Sequence, residues 1–204
     1  MDPSLKPLAE YLRPSDINDI VGQDHLVGKD CPIYNAVSQQ KLTSMILWGP
    51  PGVGKTSIAN AIASSVDYDY ISISAVLSGV KDIRDAVQQA DFNLNQNKKR
   101  TAVFIDEVHR FNKAQQDSFL PHVESGLFTF IGATTENPSF EVNSALLSRC
   151  QVYTLKALGD DALIEIINKA LKYLSNINLD KKSQEFLLEY ANGCLLYTSP
   201  SPRD

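Results

Sequence analysis

Met45-Ile46-Leu47-Trp48-Gly49-Pro50-Pro51-Gly52-Val53-Gly54-Lys55-Thr56 decides the reading of this chain. Four apolar residues run straight into a Gly/Pro cluster, so a buried strand ends in a tight turn. Beyond it Ile58, Ala59, Ile62, Ala63 and Val66 return at helical spacing, and a helix follows. Gly49 and Gly54 with the following Lys55-Thr56 fit the phosphate-loop pattern. Glycines let successive backbone N–H groups turn inward as an anion nest, and the helix adds the positive end of its dipole. On this reading Gly49, Pro50, Pro51, Gly52, Val53 and Gly54 wrap the phosphates of ATP. Lys55 reaches the β- and γ-phosphates, and the Thr56 hydroxyl ligates Mg²⁺. A plain Gly/Pro turn would need the Lys-Thr pair and both flanking elements by coincidence.

Working outward, short apolar runs alternate with longer helical patterns, as in a βαβ protein with a parallel sheet. Tyr70 to Ile73, Ala102 to Ile105, Phe128 to Ala133 and Val152 to Leu155 read as four further strands. Val80, Ile83, Val87, Ala90 and Leu94 recur every three or four residues and mark a long amphipathic helix. The expected fold is α/β: a doubly wound, parallel, five-stranded sheet with the start of an α-helical lid. From Leu158 onward the pattern becomes purely helical, with Ala162, Leu163, Ile166, Ile167, Ala170, Leu171 and Leu174 marking one helix and Phe186, Leu187 and Tyr190 another. The expected division is a nucleotide-binding domain over 1–156 and a lid beginning over 157–193. Residues 194–204 continue no helical period and look foreign to what precedes them.

Ala102-Val103-Phe104-Ile105 stops abruptly at Asp106-Glu107. A buried strand ending in two carboxylates sets them at the carboxyl edge of the sheet, where ligands of such folds bind. Asp106 then holds Mg²⁺, and Glu107 orients or deprotonates the attacking water. An isolated Asp-Glu pair caps many helices; beside a phosphate loop it completes one site. Hydrolysis of ATP is favoured over mere nucleotide storage, which could dispense with Glu107.

Composition narrows the alternatives. The 204 residues carry 19 Lys and Arg against 24 Asp and Glu, a net charge of −5, which excludes a generally polybasic nucleic-acid coat but not a local basic track. No apolar run is long enough to span a membrane, and the first residues lack a signal-peptide pattern. Cys31, Cys150 and Cys194 lack metal-ligand spacing and read as reduced thiols of a cytoplasmic protein. His25, His109 and His122 share no zinc spacing. His109 and Arg110 follow the carboxylates and read either as sensors of nucleotide or DNA or as the solvated start of a helix. Lys98-Lys99-Arg100 reads as a solvated loop or a contact to a phosphate backbone. Glu136-Asn137-Pro138 reads as a turn.

In combination, Gly-Pro-Pro-Gly, Asp106-Glu107 and Ser148-Arg149-Cys150 resemble an AAA+ ATPase of the clamp-loader clade. Arg13-Pro14, the run from Ile20 to Leu26, Asp106 to Lys113 and Ile131 to Phe140 narrow the resemblance to the replication-associated recombination protein A family, over about residues 5 to 193. The resemblance implies Mg²⁺-dependent, DNA-stimulated ATP hydrolysis in replication-fork maintenance and recombination. Forked, gapped or single-stranded DNA, a homo-oligomer and a single-strand binding protein are the implied partners, with a cytoplasmic, nucleoid-associated location. It implies that Ile20 and Val21 contact adenine, where composition alone makes them core residues. It implies that Thr134, or Thr135 with the register off by one, is the sensor of the γ-phosphate. Arg149 becomes a finger that reaches ATP on a neighbouring subunit; its bland alternative is a surface salt bridge. A clamp-loader subunit, a Holliday-junction motor and a nucleotide-gated adaptor remain the alternatives. After Gly193 the family continues with an acidic residue and a second sensor arginine, where this chain has Cys194-Leu195-Leu196, so the expectation is a family sequence cut short.

Overall fold

A computed structural model of the protein describes residues 8–174 and 179–191. The chain runs α1 (Leu8–Tyr11), α2 (Asp24–Val27), α3 (Pro32–Ser38), β1 (Met45–Trp48), α4 (Lys55–Ser65), β2 (Tyr68–Ser74), α5 (Val80–Gln96) and β3 (Arg100–Asp106). It continues through α6 (Lys113–Asp117), α7 (Leu120–Glu124), β4 (Thr129–Thr134), α8 (Pro138–Glu141), α9 (Ser144–Leu147), β5 (Gln151–Thr154), α10 (Asp160–Tyr173) and α11 (Lys181–Ala191).

The five strands form one sheet in the order β2-β3-β4-β1-β5, and every neighbouring pair is parallel. Parallel strands are covered on both faces, which explains why β1 and the 102–105 stretch of β3 are continuously apolar rather than alternating. Met45, Leu47, Ala102, Phe104, Ile131 and Ala133 pack with α3 and α4 on one face. Ile46, Val103, Ile105 and Phe130 pack with α5 and the α6–α9 segment on the other. Phe104, Phe130, Ile46 and Leu47 are fully buried, and each such side chain contributes about 1.5–3 kcal/mol of transfer free energy.

All five expected strands are present, with shifted ends. β2 starts two residues before Tyr70, because pairing with β3 extends over seven residues from Tyr68↔Arg100 to Ser74↔Asp106. The 136–138 segment is the start of α8: Asn137 caps it by accepting from the Ser139 N–H, and Pro138 supplies the first helical residue. The basic triplet is engaged locally. Lys99 pairs with Asp69 at 2.9 Å and Asp67 at 3.4 Å, and Arg100 donates to the Tyr68 hydroxyl at 3.1 Å. Residues 192–204, with Cys194 and the Ser-Pro run, lie outside the described residues.

The N-terminal segment is locked to the far end of the sheet. Gln23, fully buried, donates to the Lys156 carbonyl at 2.8 Å and accepts from the Lys156 N–H at 3.1 Å. Gly22 lies in the left-handed region (φ +77°), and a Cβ there would come within 2.6 Å of Leu158 and 3.0 Å of Ala162. Only glycine lets Ile20-Val21 approach α10 this closely.

Candidate active site

The turn from β1 to α4 takes the shape that its glycines permit. Gly52 (φ 75°) and Gly54 (φ 92°) are both left-handed, and Gly54 stands at the N-cap of α4 with no side chain to cap it. A helix N-terminus without a capping side chain offers its N–H groups to an anion. Gly49 meets the end of β5: a Cβ there would sit 2.8 Å from the Leu155 carbonyl oxygen. Lys55 is only 7% exposed, and its Nζ donates to the carbonyls of Gly49 and Pro50, each at 2.8 Å. The loop thus curls around its own ammonium group.

β4 separates β1 from β3, yet all strands point the same way, so Asp106 at the end of β3 arrives opposite the loop after β1. Asp106, Glu107, Lys55 and Thr56 line one cleft of about 390 Å³ together with Pro51, Gly52, Val53 and Gly54. Burial raises the Asp106 carboxyl above the usual carboxylate range, and repulsion from Glu107 adds to this; Lys55 and the Glu107 backbone N–H oppose it. Glu107 has left-handed backbone (φ 53°, ψ 50°), which is strained for a residue with a Cβ.

The sensor alternatives separate in the structure. Thr134 is fully buried, and its hydroxyl donates to the Glu136 carbonyl at 3.3 Å, accepts from the Glu136 N–H at 3.1 Å and lies 2.9 Å from His109 Nδ1. Thr135 instead donates to Glu107 Oε2 at 3.4 Å. Thr134 is the last residue of β4 and Thr135 lies just beyond it, and of the two it is Thr135 whose hydroxyl meets the carboxylate. His109 is not at a solvated helix start: its side chain is 9% exposed and Nδ1 lies 3.2 Å from Glu107 Oε2.

Ile20 and Val21 line the same cleft, beside Pro14, Leu158 just before α10 and Ile166 within it. Apolar side chains of this kind suit a flat heteroaromatic ring. Leu158, Ile166 and Lys169 were missed as site residues in the sequence because they repeat at ordinary lid-helix spacing. Arg149 is not part of this cleft. It is partly exposed, donates to Ala145 O at 2.7 Å and Ser148 Oγ at 3.0 Å, and forms an ion pair with Glu124. Such exposed pairs contribute at most about 1 kcal/mol, so the guanidinium is readily released. Burial pushes the neighbouring Cys150 thiol up to about 12, which leaves it unreactive.

Residues 45–158 match the family described as ATPase family associated with various cellular activities (AAA). The chain belongs to this family. Within it, the chain is 56% identical over 165 residues to Replication-associated recombination protein A of Coxiella burnetii, covering 81% of this chain and 37% of that protein. It is 48% identical over 198 residues to the Escherichia coli (strain K12) protein of the same name, covering 94% and 44% respectively. These relatives bear out the resemblance read from residues 13–140. The chain spans less than half the length of each of the two. The RuvB Holliday junction branch migration motor of Thermotoga maritima superposes with a TM-score of 0.73 at 28% identity, over 91% of this chain and 62% of that one.

An AAA-family site implies a magnesium ion beside the nucleotide, and the donor set here fits one: a hydroxyl and a carboxylate, both oxygen ligands suited to a hard cation, face the same cleft from Thr56 and Asp106. A cation needs the ionised carboxylate. Because the Asp106 pKa is raised in the free protein, lowering the pH through it protonates the ligand and opposes binding. The stability sign is the reverse: the folded carboxyl holds its proton more tightly than the unfolded one, so that contribution is complete below 3.8 and is lost as pH rises through the raised value. Affinity for magnesium with a non-hydrolysable ATP analogue is therefore expected to fall by up to about tenfold per pH unit below that point. Asp106→Asn should bind weakly with a flatter profile; calorimetry between pH 4 and 7 makes the comparison, and parallel profiles would remove Asp106 from the cation site.

Proposed function

We propose that this chain binds Mg-ATP in the cleft between the phosphate loop and α10, hydrolyses it, and serves DNA transactions in replication and recombination. One observation carries the nucleotide half: a left-handed glycine loop and buried lysine face Asp106 and Glu107 across a single cleft. Lys55 exchanges the Gly49 and Pro50 carbonyls for phosphate oxygens. The loop N–H groups hold the same charge, and Ile20, Val21 and Leu158 enclose the base and exclude water from it. A bound magnesium ion, held by Thr56 and Asp106, supplies charge neutralisation on the phosphates. Glu107 takes the proton of the attacking water, and Thr135, which shares a hydrogen bond with Glu107, takes the sensor role in preference to Thr134.

Arg149, outside its own cleft and lightly held, suits action on ATP in an adjoining copy. A planar guanidinium spreads positive charge over the transferring phosphoryl oxygens. The DNA half rests on the named relatives at 48% and 56% identity; the 28% likeness to a branch migration motor favours the shared fold more than the shared task. ATP turnover is the test. The rate per chain should rise with protein concentration and rise again with forked or gapped DNA. A rate independent of concentration rules out action between copies, and one indifferent to every DNA structure rules out coupling to DNA.

A further inference from the structure

His109, its side chain 9% exposed, stands beside the catalytic carboxylate, and the proposed chemistry assigns it no part. It sits in a 3-10 turn (Val108–Arg110) that leaves the end of β3 directly after Glu107. Val108 is fully buried, and the Arg110 N–H donates to the Glu107 carbonyl at 2.8 Å, so the turn is fixed to the sheet edge. One ring nitrogen, Nδ1, faces two oxygens: Glu107 Oε2 at 3.2 Å and Thr134 Oγ1 at 2.9 Å.

The hydrogen-bond inventory decides which group donates. An ionised carboxylate only accepts. The Thr134 hydroxyl directs its hydrogen to the Glu136 carbonyl and receives the Glu136 N–H, so it too is left as an acceptor toward the ring. Nδ1 therefore carries the hydrogen and shares it between the two oxygens. Thr135 donates to the same Oε2 from the other side at 3.4 Å. A carboxylate held by two donors, on a residue with strained left-handed backbone, is over-determined in position rather than free to rotate.

We propose that His109 is a positioning residue that, anchored by Thr134, clasps Glu107 and keeps its carboxylate directed at the hydrolytic centre. This rests on the reading of Glu107 as proton acceptor. The clasp touches neither phosphate nor base, so its loss acts on the chemical step and spares nucleotide binding.

The test compares three variants of the full chain. An Asn amide nitrogen overlays Nδ1, whereas a Gln amide overlays Nε2. His109→Ala and His109→Gln are expected to lower kcat for ATP about 10- to 100-fold, the scale on which small misplacement of a catalytic group acts. KM and the affinity for a non-hydrolysable analogue should change less than about twofold, since binding contacts are intact. His109→Asn should recover most of the rate. If the alanine variant melts early, the Asn and Gln pair still decides, because both fill the site. Equal rates in Asn and Gln, or a loss confined to KM, overturn the clasp. Nitrogen-15 spectra of the imidazole at neutral pH give an independent reading: hydrogen on Nδ1 supports it, and a neutral ring with bare Nδ1 overturns it. Absence of turnover in the unaltered chain counts against the hydrolysis reading itself, whereas normal turnover that ignores all three substitutions sinks the positioning role alone.

Discussion

Lys55→Ala is expected to lower the affinity for ATP about a hundredfold and to abolish measurable turnover. Hydrogen bonds from a charged donor are worth about 1.5–3 kcal/mol each, and every 1.4 kcal/mol is a factor of ten. Losing one or two phosphate contacts therefore costs about one to four decades in affinity. Some destabilisation of the free protein accompanies it, because the Gly49 and Pro50 carbonyls lose the donor that now lies 2.8 Å from each. The two effects separate experimentally. Binding of a fluorescent ATP analogue reads the first, and a thermal melt without nucleotide reads the second. A variant that melts a few degrees lower yet still binds tightly would show that Lys55 only braces its loop, and the cleft would no longer be the nucleotide site.

Glu107→Gln should do the opposite: retain ATP and fail to cleave it. Glutamine keeps the size of the side chain and a partner for Thr135 and His109, but its amide cannot take a proton. A positioned base typically contributes 10² to 10⁴ in rate, so turnover should drop by about that factor while affinity stays within a few fold. Single-turnover measurements with pre-bound ATP make the distinction, since they remove product release from the rate. Unchanged single-turnover rates would transfer the base role elsewhere. The same variant separates a motor from a nucleotide-gated adaptor. An adaptor keeps its biological role with ATP trapped, whereas a motor loses it.

Both predictions come from motifs that could be read before any fold was known, and the physical reason is locality. Two glycines, a lysine and a threonine make an anion site through φ/ψ freedom and a helix N-terminus, which involve only adjacent residues. Asp106 was legible because an apolar strand that stops at a carboxylate has few places to end. His109, by contrast, was marked only by its place after the carboxylates, which left its role open between a sensor and a solvated helix start. Its role depends on Thr134, 25 residues away, and its placement on the turn that the buried Val108 anchors. The Thr134/Thr135 ambiguity had the same origin: sequence gives a strand end only to within a residue, and here Thr134 closes β4 while Thr135 lies just beyond it.

By itself, then, the order of residues determined five apolar runs, the phosphate loop between the first of them and its helix, and the acidic pair at the end of the third. Those features follow from hydrophobic periodicity and short-range backbone sterics. Tertiary structure alone decided that β4 enters between β1 and β3, bringing Asp106 across from Lys55, and that Gln23 grips the backbone of Lys156 over a separation of 133 residues. It also decided which threonine meets Glu107 and that Arg149 is held by Ala145, Ser148 and Glu124 rather than lining its own cleft. Such choices are set by how whole elements bury their faces against one another, a property that no window of neighbouring residues contains.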